Sequence, residues 1–262
     1  MTDAELAIAV AEEGAAVVHR CFGSTLQRLD KGGGDFATNA DVEAEKAMLA
    51  LLNRERPGDA ILGEETGRTG SQDGSRTWLI DPLCGTLNYA ARMRMVAVNV
   101  ALRIGRRLTA AAVADPFAGE VFWTDGAATG SRANGHTGVL KPDASSRLVD
   151  LNLDPPFPNA PAFRATTLAT GHDFVSRFRP RVLSTSLALA WVATGQRAAY
   201  VTDGDVRDSV HFAAGLAICE AAGCTLTDLR GEAWGSGATG LIAAADATTH
   251  AELLGLVRKH FD

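Results

Sequence analysis

The residues able to do chemistry fall into four short segments. They are Asp35-Phe36-Ala37-Thr38-Asn39-Ala40-Asp41 with Glu45 one helical turn on, Gly63-Glu64-Glu65, Trp78 through Tyr89, and Val210 through Gly215 running on to Glu220-Ala221-Ala222-Gly223. Asp41, Glu64 and Asp81 are hard oxygen donors. Such donors hold divalent cations against a phosphate and lower the pKa of an attacking water. Cys84 and His211 are of another kind, a thiol and an imidazole, which serve elsewhere as nucleophile and base with a carboxylate orienting the ring. Each has a plainer reading. A lone histidine more often packs or caps a helix than acts as a base, and a lone cysteine is compatible with an inert site. Cys21, Cys219 and Cys224 fall at helix or strand edges and read as core residues. Asp115-Pro116 sits at a strand end, where such a pair commonly builds a turn.

The elements that must position these residues are legible from periodicity. Thr2-Asp3-Ala4-Glu5 is a capping box, and Leu6, Val10, Val17 and Cys21 follow at roughly helical spacing, with Gly23 as C-cap. A glycine-rich linker, Lys31 to Gly34, leads to a second helix from Ala40 to Arg54. Strand-like runs follow at Ala60–Gly63, Thr77–Ile80, Val96–Ile104, Leu108–Ala114 and Glu120–Trp123. Their short connections predict an antiparallel sheet. Gly130 to Asp143 reads as a loop or domain seam, and Asp154–Pro161 as a rigid proline-rich loop. Beyond the seam, strands at Leu148–Leu153, Ala198–Val201, Thr225–Asp228 and Leu241–Ala244 alternate with helices at Ser186–Ala193, Ser209–Ala222 and from Thr248. The expectation is an α+β domain over 1–140 and an α/β domain over 141–262 that contributes His211.

Composition narrows the function. A chain of 262 residues, 46% of them hydrophobic, can bury a sizeable core. A formal net charge of −6 with scattered basic residues argues against nucleic-acid binding. Arg177, Arg179 and Arg181 form the densest basic group and read as a solvated face. Neither a secretion signal nor an apolar run of about 20 residues is visible, so no membrane association is expected. Four cysteines without metal-knuckle spacing suit a reduced cytoplasm.

Taken in order, the four segments resemble the inositol monophosphatase superfamily. They match its D-x-x-T-x-x-D…E, G-E-E, W-I-D-P-I-D-G-T-x-N-F and W-D-x-A-A-G…E-A-G-G motifs, and Ser184–Tyr200 is a softer match. The resemblance implies an α/β (α+β) fold, a layered αβαβα sandwich. It also implies magnesium ligands at the first Glu of G-E-E, both Asp of D-P-I-D, the carbonyl between them and the Asp of W-D. Here Glu64, Asp81 and the Leu83 carbonyl remain. The second Asp is Cys84, and the W-D Asp is His211. Magnesium disfavours thiolate and imidazole, so a standard magnesium phosphatase is not expected.

Because both replaced positions converge on one metal in the family, the resemblance places Cys84 and His211 close in space, with Asp81 beside them. It is nearest to a metal-free branch of Dieckmann cyclases from tetramate and pyridone pathways. That implies a carrier-protein-tethered thioester as substrate and partner, Cys84 as acyl acceptor and His211 as base, with no cofactor and no metal. Asp81 or Asp115 would orient His211, the N–H groups of Gly85 and Thr86 would form an oxyanion hole, and Glu64 and Asp41 would contact substrate. The opening of a helix at Gly85 predicts a depressed Cys84 pKa. A homodimer is compatible with this picture. Two other readings stand beside it: a diverged sugar or inositol phosphate phosphatase with a softer ion such as zinc on Cys84 and His211, and a silent module binding a phosphorylated sugar or a protein.

Overall fold

Thr2 opens the first helix, α1 (Asp3–Cys21), through a reciprocal cap. Its hydroxyl accepts from the Glu5 N–H, and the Glu5 carboxylate accepts from the Thr2 N–H. Two donors that the helix start would otherwise leave unpaired are satisfied. The computed structural model describes residues 1–32, 35–153, 163–235 and 240–261. These divide into two compact units. The first is Met1–Val139 with Thr185–Leu187 and Val210–Ile218; the second is Leu140–Ser184, Ala188–Ser209 and Cys219–Asp262. The cut expected near residue 140 assigned His211 to the second half, whereas its contacts group it with the first.

In the first unit α1 is followed by β1 (Arg28–Gly32), β2 (Asp35–Thr38), α2 (Asn39–Glu55), β3 (Ala60–Gly63), β4 (Gly67–Gly70), β5 (Arg76–Cys84) and α3 (Thr86–Ala90). Then come β6 (Ala97–Ile104), β7 (Arg107–Asp115), β8 (Glu120–Thr124), β9 (Thr129–Ala133) and β10 (His136–Gly138). An eight-stranded sheet runs in the order β10-β9-β8-β7-β6-β5-β3-β4. The apolar faces of α1 and α2 join its Trp78, Ile80, Val98, Val100 and Ala112 in one buried core. The sheet is antiparallel except where β3 meets β5, which run parallel. The exception follows from β4, which hairpins back along the outer edge of β3 and sends the chain into β5 in the direction of β3.

Two further expectations do not hold. Lys31 belongs not to a linker but to β1, paired antiparallel with β2. The stretch from Gly130 contains the end of β9 and all of β10. β10 is short and fully exposed, so it carries no alternating apolar pattern to read. The proline-rich stretch Asp154–Pro161 lies outside the described residues.

The second unit contains β11 (Leu148–Asn152), α4 (Ala165–Thr170), α5 (His172–Arg177), β12 (Arg179–Val182), α6 (Leu187–Ala193), β13 (Ala199–Thr202), α7 (Ala213–Ala221), β14 (Thr225–Thr227), β15 (Leu241–Ala244) and α8 (Ala247–Arg258). Leu187 of α6 and residues 213–218 of α7 group with the first unit. The second sheet runs β12-β11-β13-β15-β14, parallel around β11 and antiparallel at β15. Asp150 of β11 is fully buried, and Arg197 answers its charge at 2.7 Å. Among the described residues, no helix is long and apolar enough to cross a membrane.

Candidate active site

Two parallel strand ends build the site. β3 stops at Gly63, and the next N–H, that of Glu64, donates to the Ile80 carbonyl of β5 at 3.2 Å. One residue further along β5, Asp81 pairs across the sheet with Asn99 of β6. There the ladder slips. Pro82 has no N–H to give, and the register shifts between Asp81 and Cys84. Beyond the bulge Cys84 pairs with Ala97 as the last residue of β5, and Gly85, at φ +106°, reverses the chain into α3 in a conformation that glycine adopts at little cost.

Asp81 is fully buried, and both its oxygens take part in hydrogen bonds. Oδ1 accepts the Leu83 N–H at 3.0 Å. Oδ2 lies 2.7 Å from His211 Nδ1 and accepts from Asn99 Nδ2 at 3.4 Å. Cys84 Sγ accepts the Ser186 N–H at 3.3 Å, and the Ser186 hydroxyl donates to Asn99 Oδ1 at 2.8 Å. The potential ligand atoms of Asp81, Cys84 and His211 lie within 4.8 Å of one another. Glu64 borders this cluster. Its Oε1 holds Lys31 Nζ at 3.0 Å, while its buried Oε2 has no hydrogen-bond partner and lies 4.0 Å from His211 Nδ1. The ammonium of Lys31 also binds Glu65, at 2.8 Å.

Charge and burial compete at every member. Burial, then repulsion from Asp81, pushes Glu64 up to about 9, against the pull of His211 and Lys31. Burial opposes the Asp81 carboxylate too, yet the His211 charge, their hydrogen bond and the Leu83 N–H hold it below the usual range. Desolvation alone would depress His211; the Asp81 carboxylate, with Cys84 and Glu64, carries it well above its ordinary value. Burial and Asp81 push the Cys84 thiol up. The expected depression of that thiol is thus reversed: α3 has only five residues, too short for a strong dipole, while desolvation and the Asp81 carboxylate both oppose the thiolate. The metal-free cluster pairs an Asp81 carboxylate with a His211 imidazolium, and Glu64 and Cys84 keep their protons.

Other expected site residues have different tasks. Asp41 is fully buried, accepting from the Thr38 N–H and hydroxyl at the start of α2 and from the Thr86 hydroxyl at 3.1 Å. Its carboxylate thereby ties the Thr38 cap to the Cys84–Thr86 turn. Asp115 accepts the Phe117 and Ala118 N–H groups at the β7–β8 turn, whereas His211 Nδ1 meets Asp81. Three contributors went unrecognised in the sequence. Lys31 was hidden in an apparent linker. Asn99 looked like an ordinary strand residue, and Ser186 carried only the weak Ser184–Tyr200 signal.

The donor set does not fit magnesium. Glu64, Asp81 and the Leu83 carbonyl offer hard oxygens, but the remaining two donors are sulfur and nitrogen.

The model of the inositol monophosphatase family matches residues 2–261. The chain belongs to that family. Among curated relatives, an inositol-1-monophosphatase of Caulobacter vibrioides is 40% identical over 121 residues, 45% of this chain and 47% of that protein. That alignment spans about half the length of the relative. The Nus factor SuhB of Escherichia coli is 32% identical over 217 residues, covering 79% of this chain and 76% of the relative. The solved extragenic suppressor protein suhB of Bartonella henselae superposes with a TM-score of 0.85 at 23% identity, over 97% of this chain and 98% of that one. That superposition bears out the layered α/β fold expected from the motifs.

These relatives overturn the more specific expectation. They bear the names of a phosphatase and of a Nus factor, not of a cyclase. The Dieckmann cyclase, its tetramate-type product, the covalent role of Cys84 and the carrier-protein partner are accordingly withdrawn. The raised Cys84 pKa agrees, since a thiol that holds its proton is a poor resting nucleophile.

Proposed function

We propose that this chain is a diverged phosphate-monoester hydrolase acting on a small phosphorylated polyol of the sugar or inositol class. The observation that carries the reading is the parallel pairing of β3 with β5, which sets Glu64 and Asp81 side by side at one end of the sheet. In this reading Asp81 fixes His211, and Glu64 handles the proton of the attacking water. The Gly85 and Thr86 N–H groups, at the start of α3, face the phosphate oxygens. Cys84 lies against the reacting group as part of the same cluster. Asp41 holds the turn from behind through Thr86. The family membership and the phosphatase name of the Caulobacter relative support the substrate class.

Phosphate release from a panel of inositol and sugar monophosphates, with magnesium, manganese, cobalt or zinc supplied in turn, tests this. Release is expected without preference for magnesium. Asp81→Asn and Glu64→Gln should each slow it by about 10²-fold or more, the scale of a lost proton-transfer group. A folded protein that releases no phosphate from any member under any ion would refute the reading.

A further inference from the structure

We propose that Asp81, Cys84 and His211 form a binding site for one borderline-soft divalent cation of the zinc class. The site stands on geometry; its use in catalysis rests on the hydrolase reading above. Zinc bonds of roughly 2.0–2.3 Å place tetrahedral ligand atoms about 3.3–3.8 Å apart. Here the three candidate atoms span from 2.7 Å, between Asp81 and His211, to within 4.8 Å. Small side-chain rotations bring that set onto one centre. Thiolate, imidazole and carboxylate together are donors that zinc accepts and magnesium refuses. Three protein ligands leave a fourth position for water or substrate.

A second observation points to the same place. The buried Glu64 Oε2 lacks any hydrogen-bond partner at the border of the cluster. Buried polar oxygens are rarely left so, and a cation or its bound water would answer this one. The surroundings also hold the donors as ligand supports do. Leu83 N–H and Asn99 fix Asp81, Ser186 N–H fixes Cys84, and the Ser186 hydroxyl ties back to Asn99. The His211 side chain keeps 42% of its surface exposed, which gives an ion a way in.

The test strips the protein with chelator and titrates it with zinc chloride, then with cobalt(II) chloride. One equivalent per chain is expected, with magnesium failing to compete at a thousandfold excess. Cobalt should give a thiolate-to-metal absorption band that Cys84→Ser abolishes and Cys224→Ser leaves intact. Cys84→Ser should weaken zinc binding by more than about 10²-fold, and Asn99→Ala by about 10–100-fold, as for an outer support. Should Cys84→Ser fold poorly, zinc protection of Cys84 from iodoacetamide in the unmodified protein decides instead. Absence of stoichiometric zinc, or no protection of Cys84, overturns the site. Zinc bound without phosphate release leaves the site standing and removes the hydrolase. Release at full rate in chelator, together with no zinc bound in the titration, removes the site and leaves the hydrolase.

Discussion

At neutral pH the metal-free Cys84 thiol keeps its proton, because burial and the Asp81 carboxylate both oppose the thiolate. His211 pulls the other way, yet its own charge is spent on Asp81 at 2.7 Å. Reactivity follows thiolate population. In chelator, Cys84 should therefore alkylate with iodoacetamide at least several-fold more slowly than a small free thiol at the same pH. Peptide mapping after brief, limiting treatment measures this. A rate above that of the free thiol would show that the imidazolium outweighs burial and the Asp81 charge. Asp81 governs this balance as the group that raises His211, and no sequence pattern distinguishes that role from a plain metal ligand.

The G-E-E turn gains a reason once α2 and β3 are seen together. Both oxygens of the buried Glu45, on α2, accept N–H groups beyond the strand, from Glu65 at 2.9 Å and Thr66 at 2.8 Å. This clamp fixes the backbone from which Glu64 points. A Cβ at Gly63 would lie 2.6 Å from Glu45 Oε1, so glycine is required for clearance and not for an unusual φ. Gly63→Ala should destabilise the protein by about 1–3 kcal/mol, as overpacking does. Urea unfolding reads the cost, and it should shrink in a Glu45→Ala background, where the two changes share one contact. Equal cost in both backgrounds would place the strain elsewhere.

Across the molecule Glu64, Asp150 and His211 pull stability one way with pH, against an opposing pull from His250, which burial lowers. Glu64, raised to about 9, and Asp150, raised to about 6, bind protons in the folded state that the unfolded chain has already lost. Each lowers stability as pH climbs from its unfolded value to its folded one. His211 is raised as well, so its contribution is full below about 6.5 and fades as pH passes its folded value. Asp81 is lowered, and its contribution is already complete above its ordinary value of about 3.8. The metal-free Tm should thus fall steadily from pH 5 to pH 9, and Glu64→Gln should flatten the slope. A Tm that rises over that interval would mean that Glu64 and Asp150 ionise in the folded protein as readily as in the unfolded chain.

Residue order alone revealed the family, most of the first sheet and the identities of Glu64, Asp81, Cys84 and His211. These are local facts: capping boxes, alternating apolar runs and short motifs are written within about ten residues. It also showed sulfur and nitrogen at two positions where the family has carboxylates, because hardness is a property of residue type. What it left open was everything requiring two distant segments at once. Ser186 and His211 join the first unit although they lie after residue 140 in the chain, and periodicity carries no record of that return. Lys31 reached the Glu64–Glu65 pair only because a hairpin formed where glycines suggested a linker. Asp41 bonds Thr38 and Thr86, and Asp115 bonds the backbone of its own turn, partners that residue type alone did not indicate. Above all, whether Cys84 is thiol or thiolate turned on desolvation and on the Asp81 charge beside it, and both exist only once the chain has folded around this half-buried residue.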